Sequence, residues 1–324
     1  MENSLKDNVW VISDGTKGME NQSLALAKLL SKNFKLIKYN PPYFLKKFPL
    51  IRNLFIFKIK DHLLKNIHPP KIVITTGKRM AGVSLALKSI LKENVKTIHI
   101  QNPKLPFEYF DLLLIPEHDK ITAKNVIQTK GALSFFNYNE LKKIEEKKIK
   151  LIKGNKKNLI LLMIGGNNKR YKPNNSDYYY LSMKILEATK NLSCQLVVLL
   201  SRRTPSKAVK ILNSSFLKHN ENFQIITSSE QNLYPDILKI ADYMIVTSDS
   251  VNMISETASL STPLFVSYLS KETGKILNFL KNLEKLGYIK NFEGKLFNYK
   301  KTKLNTNKET VLKVNKFLRL QKIP

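Results

Sequence analysis

The sequence predicts an α/β chain of two parallel-sheet domains facing a cleft, and three observations predict it. Short apolar runs alternate with segments of helical spacing through both halves of the 324 residues. That alternation is broken once, by a polar stretch over Asn137–Asn158 that is dense in Glu and Lys from Glu140 to Lys153. The chemically unusual residues, namely glycine pairs, arginines and small polar turns, fall just after the apolar runs, where open parallel sheets bind ligands.

The elements follow in order. Val9–Ser13 reads as a strand and runs into the turn Asp14-Gly15-Thr16-Lys17-Gly18. A helix through Gln22–Leu30 places Leu26, Leu29 and Leu30 on one face. Strands are expected at Phe34–Tyr39, Ile72–Thr75, Thr97–Gln101, Leu112–Ile115 and Val126–Thr129, with a helix ending at Leu91. The Glu/Lys-rich stretch reads as a surface helix plus the interdomain linker. Beyond it come strands Leu159–Ile164, Gln195–Leu200, Phe223–Ile226 and Tyr243–Val246, then another after Pro263. Helices are expected over Asp177–Thr189, after Pro205, over Pro235–Ile240, over Glu272–Leu286 and over Glu309–Leu320.

Composition narrows the function classes. The formal net charge is +30, but 49 of the 55 basic residues are Lys spread along the whole chain. Without arginines interleaved with aromatic residues, that pattern argues against a specific nucleic-acid groove. It favours contact with anionic surfaces. No apolar run reaches the roughly 18 residues of a membrane-spanning helix. The N-terminal stretch lacks the pattern of a secretory signal, and the single Cys194 excludes an intramolecular disulfide, so a cytoplasmic setting is expected. His62, His68, His99 and His219 are isolated and no second histidine stands at metal-ligand spacing to His118, so no bound metal is expected, nor is a tightly bound cofactor.

The turn after Tyr243–Val246 is the most informative. Thr247, Ser248, Asp249 and Ser250 sit between a buried strand and a helix that carries Asn252 and Glu256. Such a turn is expected to direct backbone N–H groups at an anion, with Glu256 suited to a ribose diol. An ordinary βαβ unit with a capped helix explains the same residues equally well. Gly165-Gly166 allows close backbone approach after its strand, although it matches neither a dinucleotide fingerprint nor a Walker loop. Arg79, Arg170, Arg202 and Arg203 all follow apolar strands, and arginine binds phosphate in a bidentate manner. Of the adjacent Arg202 and Arg203, one is expected to pair with a carboxylate of the fold and the other to meet a diphosphate, unless the pair is simply a solvated basic loop. Glu117-His118-Asp119 is a candidate acid/base group, or else a structural loop. Asp14, Gly15, Lys78, Arg79 and Glu117 are the candidate acceptor-side residues.

Tyr39–His68 differs in kind: aromatic and aliphatic residues alternate with Lys, broken by Pro41, Pro42 and Pro49. One reading lays it on an anionic membrane, at the inner face of the cytoplasmic membrane. The other, which the pattern favours, is a helical hairpin packed on its own sheet with lysines outward.

Taken together, VWVISDGTKGMENQSLALA, TTGKRM, HIQNP, LLLIPEHDK, NVIQTKGA, LLMIGG, SRRTP and VTSDSVNMISE are similar to the mitochondrial-fission, elongated-mitochondria-type family. The resemblance implies a two-domain fold of the glycosyltransferase GT-B kind. It would comprise an acceptor-side Rossmann-like domain over residues 1–150, a nucleotide-sugar-binding one over 151–305, and a terminal helix over 306–324 that crosses back. It implies a nucleoside-diphosphate sugar as substrate, with Glu256 on the ribose and Gly165, Gly166 and Arg202 or Arg203 on the diphosphate. A metal-independent sugar transfer to an acceptor hydroxyl is the first functional expectation. A non-catalytic membrane-peripheral adaptor is the second, because plant members have a membrane-recruiting role in organelle fission.

Overall fold

A computed structural model describes residues 8–65, 68–134, 144–167, 171–219, 222–226, 233–269 and 272–320. The chain divides into two compact units. Unit 1 comprises Met1–Phe135 with Asn305–Pro324, and unit 2 comprises Phe136–Leu304.

In unit 1, β1 (Val9–Ser13) leads to α1 (Lys17–Leu30) and β2 (Phe34–Lys38). A helical excursion follows: α2 (Tyr43–Lys47), a 3-10 segment (Pro49–Phe55) and α3 (Ile56–Leu64). Then come β3 (Ile72–Thr76), α4 (Ala81–Leu91), β4 (Lys96–Ile100), β5 (Leu112–Pro116) and β6 (Val126–Thr129). The strands pair in parallel in the order β2-β1-β3-β4-β5-β6. Alternation along β1 sends Val9 and Val11 to one face and Trp10 and Ile12 to the other. The first face packs on α1 and on α11 (Thr306–Leu320), through Leu26, Val314 and Leu318. The second packs on Leu45, Ile59, Leu63, Val83 and Leu87 of α2, α3 and α4. α11 is further tied to the end of β6. Lys130 Nζ donates to Glu309 Oε1 at 2.9 Å, and Asn307 exchanges two hydrogen bonds with the Ser134 backbone.

Unit 2 opens with α5 (Glu146–Lys153) and continues β7 (Asn158–Ile164), α6 (Asn175–Thr189), β8 (Cys194–Leu200), α7 (Ser206–His219) and β9 (Phe223–Ile226). It closes with α8 (Tyr234–Ile240), β10 (Tyr243–Thr247), α9 (Val251–Ala258), β11 (Leu264–Ser267), α10 (Gly274–Lys285) and β12 (Lys290–Asn291). Its order is β12-β11-β10-β7-β8-β9, again parallel. Read from β9, this is the doubly wound 3-2-1-4-5-6 order. β7 is apolar on both faces because helices cover both. Leu159, Leu161 and Met163 join the core with α8, α9 and α10, while Ile160, Leu162 and Ile164 join the one with α6 and α7.

In each sheet the chain first builds outward one way and then reverses. The reversal lies between β1 and β3 in unit 1 and between β7 and β10 in unit 2. At such a switch point the turns after two neighbouring strands diverge and leave a crevice at their carboxyl ends.

The excursion after β2 departs from the expected hairpin with lysines outward. Leu45, Pro49, Ile59 and Leu63 are buried, as a packed hairpin requires. The outward side, however, carries Tyr43, Phe44, Phe48, Leu50, Leu54 and Phe57 as well as lysines.

Candidate functional site

The unit 2 switch point brings the loops after β7, β8 and β10 together. Gly165 N donates to Thr247 Oγ1 at 2.8 Å, and Gly166 N donates to Asp249 Oδ2 at 2.6 Å. Thr247 Oγ1 donates in turn to Asp249 Oδ1 at 2.6 Å. From the β8 loop, Thr204 Oγ1 donates to Gly165 O at 2.6 Å, while Asn167 N donates to Arg203 O at 3.2 Å. Two of the N–H groups expected to face a ligand are therefore held by a threonine and an aspartate.

The glycines are required by this closeness. A Cβ on Gly165 would lie 2.0 Å from Asp249 Oδ2, and one on Gly166 would lie 2.0 Å from the Arg203 carbonyl oxygen. Neither glycine has a positive φ; the need is for space.

Arg203 is the arginine beside a carboxylate, with a guanidinium nitrogen 3.9 Å from Asp249 Oδ2. Arg202 extends from the same loop into solvent. Arg170, grouped with these residues in the sequence, lies outside the described residues. Burial pushes the Asp249 carboxyl above its usual range, and the donors Thr247 and Gly166 and the Arg203 charge only partly offset it.

Ser248 opens a second buried contact that the sequence did not disclose. Its hydroxyl donates to Glu272 Oε1 and lies 3.0 Å from the Tyr171 hydroxyl. Burial raises the Glu272 carboxyl, and the bond from Ser248 counters this in part. The Tyr171 hydroxyl is also raised, chiefly by burial. Ser250 is the N-cap of α9, its side chain accepting from Met253 N at 3.5 Å.

Glu256, the expected ribose ligand, stands further along α9. Its Oε2 accepts from the Tyr234 hydroxyl of α8 at 2.6 Å. Burial pushes its carboxyl up to about 7, against the lowering effect of that bond. At the far end of α9, Lys301 Nζ donates to Thr257 O at 2.9 Å, and burial pulls that amine down to about 7.

In unit 1 the candidate acceptor-side residues separate into two groups. Asp14 and Arg79 meet across the β1/β3 switch point at 3.1 Å, and Thr16 N donates to Asp14 Oδ1 at 2.9 Å. Burial acts to raise the Asp14 carboxyl. The Thr16 bonds, Arg79 and Lys46 outweigh it, so the net shift is downward. Gly15 turns with φ +81°, and Lys78 is exposed beside Arg79. Glu117, His118 and Asp119 form a 3-10 turn after β5, and all three are partly exposed. β3 and β4 separate that turn from β1. Three strand spacings put it roughly 14 Å from Asp14. Among the described residues, no three His, Cys, Asp or Glu side chains gather as a metal site would require. No described helix is long and apolar enough to cross a membrane.

Two doubly wound units with loop clusters at their switch points define the GT-B-like class, to which the solved structures similar to this chain also belong. A UDP-GlcNAc 2-epimerase from Neisseria meningitidis, bound to UDP-GlcNAc, has a TM-score of 0.54 at 14% identity, with 95% of this chain and 99% of that one covered. A glycosyltransferase from Rickettsia africae has a TM-score of 0.51 at 11% identity, over 98% and 90%. At such identities the likeness establishes the fold. The sequence profile of the mitochondrial fission ELM1 family matches residues 17–317, and the chain belongs to that family. An uncharacterized protein of Rickettsia prowazekii is 30% identical over 306 residues, covering 81% of this chain and 83% of that protein. The Arabidopsis thaliana mitochondrial fission protein ELM1 is 27% identical over 253 residues, covering 69% of this chain and 58% of that longer protein.

Proposed function

We propose that the chain is a glycosyltransferase that moves a sugar from a nucleoside diphosphate to an acceptor hydroxyl on a lipid-linked or envelope glycan. The observation that carries this reading is the convergence of the β7, β8 and β10 loops, with two arginines and buried carboxyls, at the unit 2 switch point. Structures of the same fold bind nucleotide sugars, as the UDP-GlcNAc complex illustrates.

In this reading Glu256 accepts from the ribose hydroxyls, and Ser250 and Asn252 at the start of α9 lie toward the diphosphate with Arg202. Gly165 and Gly166 complete that wall once Thr247 and Asp249 give up the N–H groups they now hold. The acceptor oxygen bonds to the anomeric carbon as the bond from that carbon to the phosphate oxygen breaks. His118 or Asp119 takes the hydroxyl proton. The negative charge that builds on the departing diphosphate is stabilised by guanidinium and backbone N–H groups, with no resident cofactor or metal.

A thermal-shift screen against UDP, GDP, CDP, TDP and their sugars tests the reading, with NAD and ATP as controls. A shift selective for one diphosphate is expected. Glu256→Ala should weaken that nucleotide by about tenfold, the loss of one charge-assisted hydrogen bond or more. Unchanged affinity in the variant removes Glu256 from the ribose, and silence with every nucleotide removes the transferase reading. The second reading, a non-catalytic adaptor on the same fold, is favoured by the engagement of the Gly165 and Gly166 N–H groups within the protein. A loop cluster satisfied internally needs no ligand to complete it.

A further inference from the structure

We propose that residues 43–58 of unit 1 form a docking face for an anionic lipid bilayer. The segment has two sides. Leu45, Pro49, Ile59 and Leu63 are buried and fix it to the sheet. The other side presents Tyr43, Phe44, Phe48, Leu50, Leu54 and Phe57, each at least 50% exposed, with Leu54 at 80% and Phe57 at 86%. Elsewhere among the described residues exposed large apolar side chains are more dispersed, the densest other group being Tyr179, Tyr180 and Met183 on α6. Six within fifteen positions make a contiguous apolar surface that marks an interaction site.

Charge selects the occupant. From Tyr43 to Lys65 the basic residues are Lys46, Lys47, Arg52, Lys58, Lys60 and Lys65. The single acid, Asp61, lies 3.8 Å from Lys65. The Lys47 ammonium sits 5.7 Å from the Tyr43 ring and 5.4 Å from the Phe48 ring, a mixture of aromatic face and cation that suits the headgroup region. Arg52 is tied to α4, its Nε donating to Ser89 Oγ at 3.3 Å. A second copy of this chain on a twofold axis would bring like charges together. An anionic bilayer accepts both the apolar side chains and the lysines around them. The face serves a transferase with a lipid-borne acceptor and an adaptor equally, so it stands independently of the chemistry at unit 2.

The test is flotation of the full chain with vesicles of phosphatidylcholine alone and with phosphatidylglycerol added. Binding is expected only with phosphatidylglycerol, and it should fall as salt rises. Leu54→Ser with Phe57→Ser should reduce the bound fraction about tenfold or more. Leu217→Ser, a control on α7 in unit 2, should leave it unchanged. Because Leu54 and Phe57 touch so little of the core, the double variant should keep the parent circular dichroism and the parent nucleotide response. Parent-like binding by that variant overturns the proposal, as does indifference of the parent to phosphatidylglycerol. It is equally overturned by a concentration-dependent dimer in sedimentation velocity that the same variant abolishes without any vesicle binding.

Discussion

Asp14 meets Arg79 at 3.1 Å where unit 1 reverses its strand order, and Asp249 meets Arg203 at 3.9 Å where unit 2 does. Both aspartates have buried side chains, and both arginines reach solvent. Yet the carboxyl of Asp14 is held below its usual range and that of Asp249 above it. The difference lies in how far burial is compensated. Asp14 faces a free turn, where Thr16, Arg79 and Lys46 all favour its charge. Asp249 is wedged against Gly165, with Glu272 on the neighbouring serine. The same aspartate–arginine tie thus gives an ionised, open turn in one unit and a closed, proton-favouring one in the other.

The comparison can be broken most strongly with pH. Unfolded His99 takes a proton near pH 6.5, whereas the buried imidazole resists until about pH 3. Unit 1 should therefore lose stability as pH falls through that window, about 5 kcal/mol in total. Glu256 works in the opposite sense. The folded carboxyl keeps its proton up to about pH 7 while the unfolded chain releases it near 4.5. Unit 2 should lose stability as pH rises between those values, on the order of 3 kcal/mol, with no further loss above them. Trp10, the only tryptophan, is buried in β1 and reports unit 1 alone. Hydrogen exchange of β7 peptides reports unit 2. His99→Gln should flatten the acid limb of the first, and Glu256→Gln the neutral limb of the second. Parallel pH profiles in the two units would end the contrast.

Glycine substitution sharpens it next. Gly166→Ala forces a Cβ onto the Arg203 and Thr204 backbone, which has little room to yield, and should destabilise unit 2 by about 3 kcal/mol. Gly15→Ala meets no atom within 4 Å and carries only the strain of φ +81°, about 1 kcal/mol. Urea unfolding by the same two probes should rank them in that order. Smallest is the arginine pair: Arg79→Ala and Arg203→Ala should each cost at most about 1 kcal/mol, since both side chains are largely hydrated. A melting shift larger than that of Gly15→Ala would mean that the ion pairs matter more than the turns.

Much of the fold was legible because apolar runs bounded by turn residues have few alternatives. Val9–Ser13, Val126–Thr129 and Phe223–Ile226 are strands at the expected residues. α1 begins at Lys17, ahead of the expected Gln22, because the Thr16 carbonyl already accepts from Met19 and Glu20. β12 was not legible: Lys290–Asn291 is a strand only because it pairs with Phe265 and Val266. The loops of the unit 2 site could be read one by one, but not their meeting. Gly166 and Asp249 are 83 residues apart, and no local pattern says that a carboxylate will take the glycine N–H. Glu272 and Tyr171 likewise gain meaning only through Ser248. For residues 43–57 the sequence left two readings open, a membrane-lying segment and a hairpin with lysines outward, and could not decide between them. Alternation tells that a segment has two sides, but not that both are hydrophobic.

The attachment of α11 to unit 1 has a consequence for synthesis on the ribosome. Lys130 and its partner Glu309 are 179 residues apart, with the whole of unit 2 encoded between them. At translation rates of roughly 5–20 residues per second, the groove awaiting Val314 and Leu318 stays open for on the order of 10 to 35 seconds. During that interval unit 2 can mature first, although its sequence comes second. Nascent unit 1 would be the stretch that calls for a chaperone until α11 has been made and can dock.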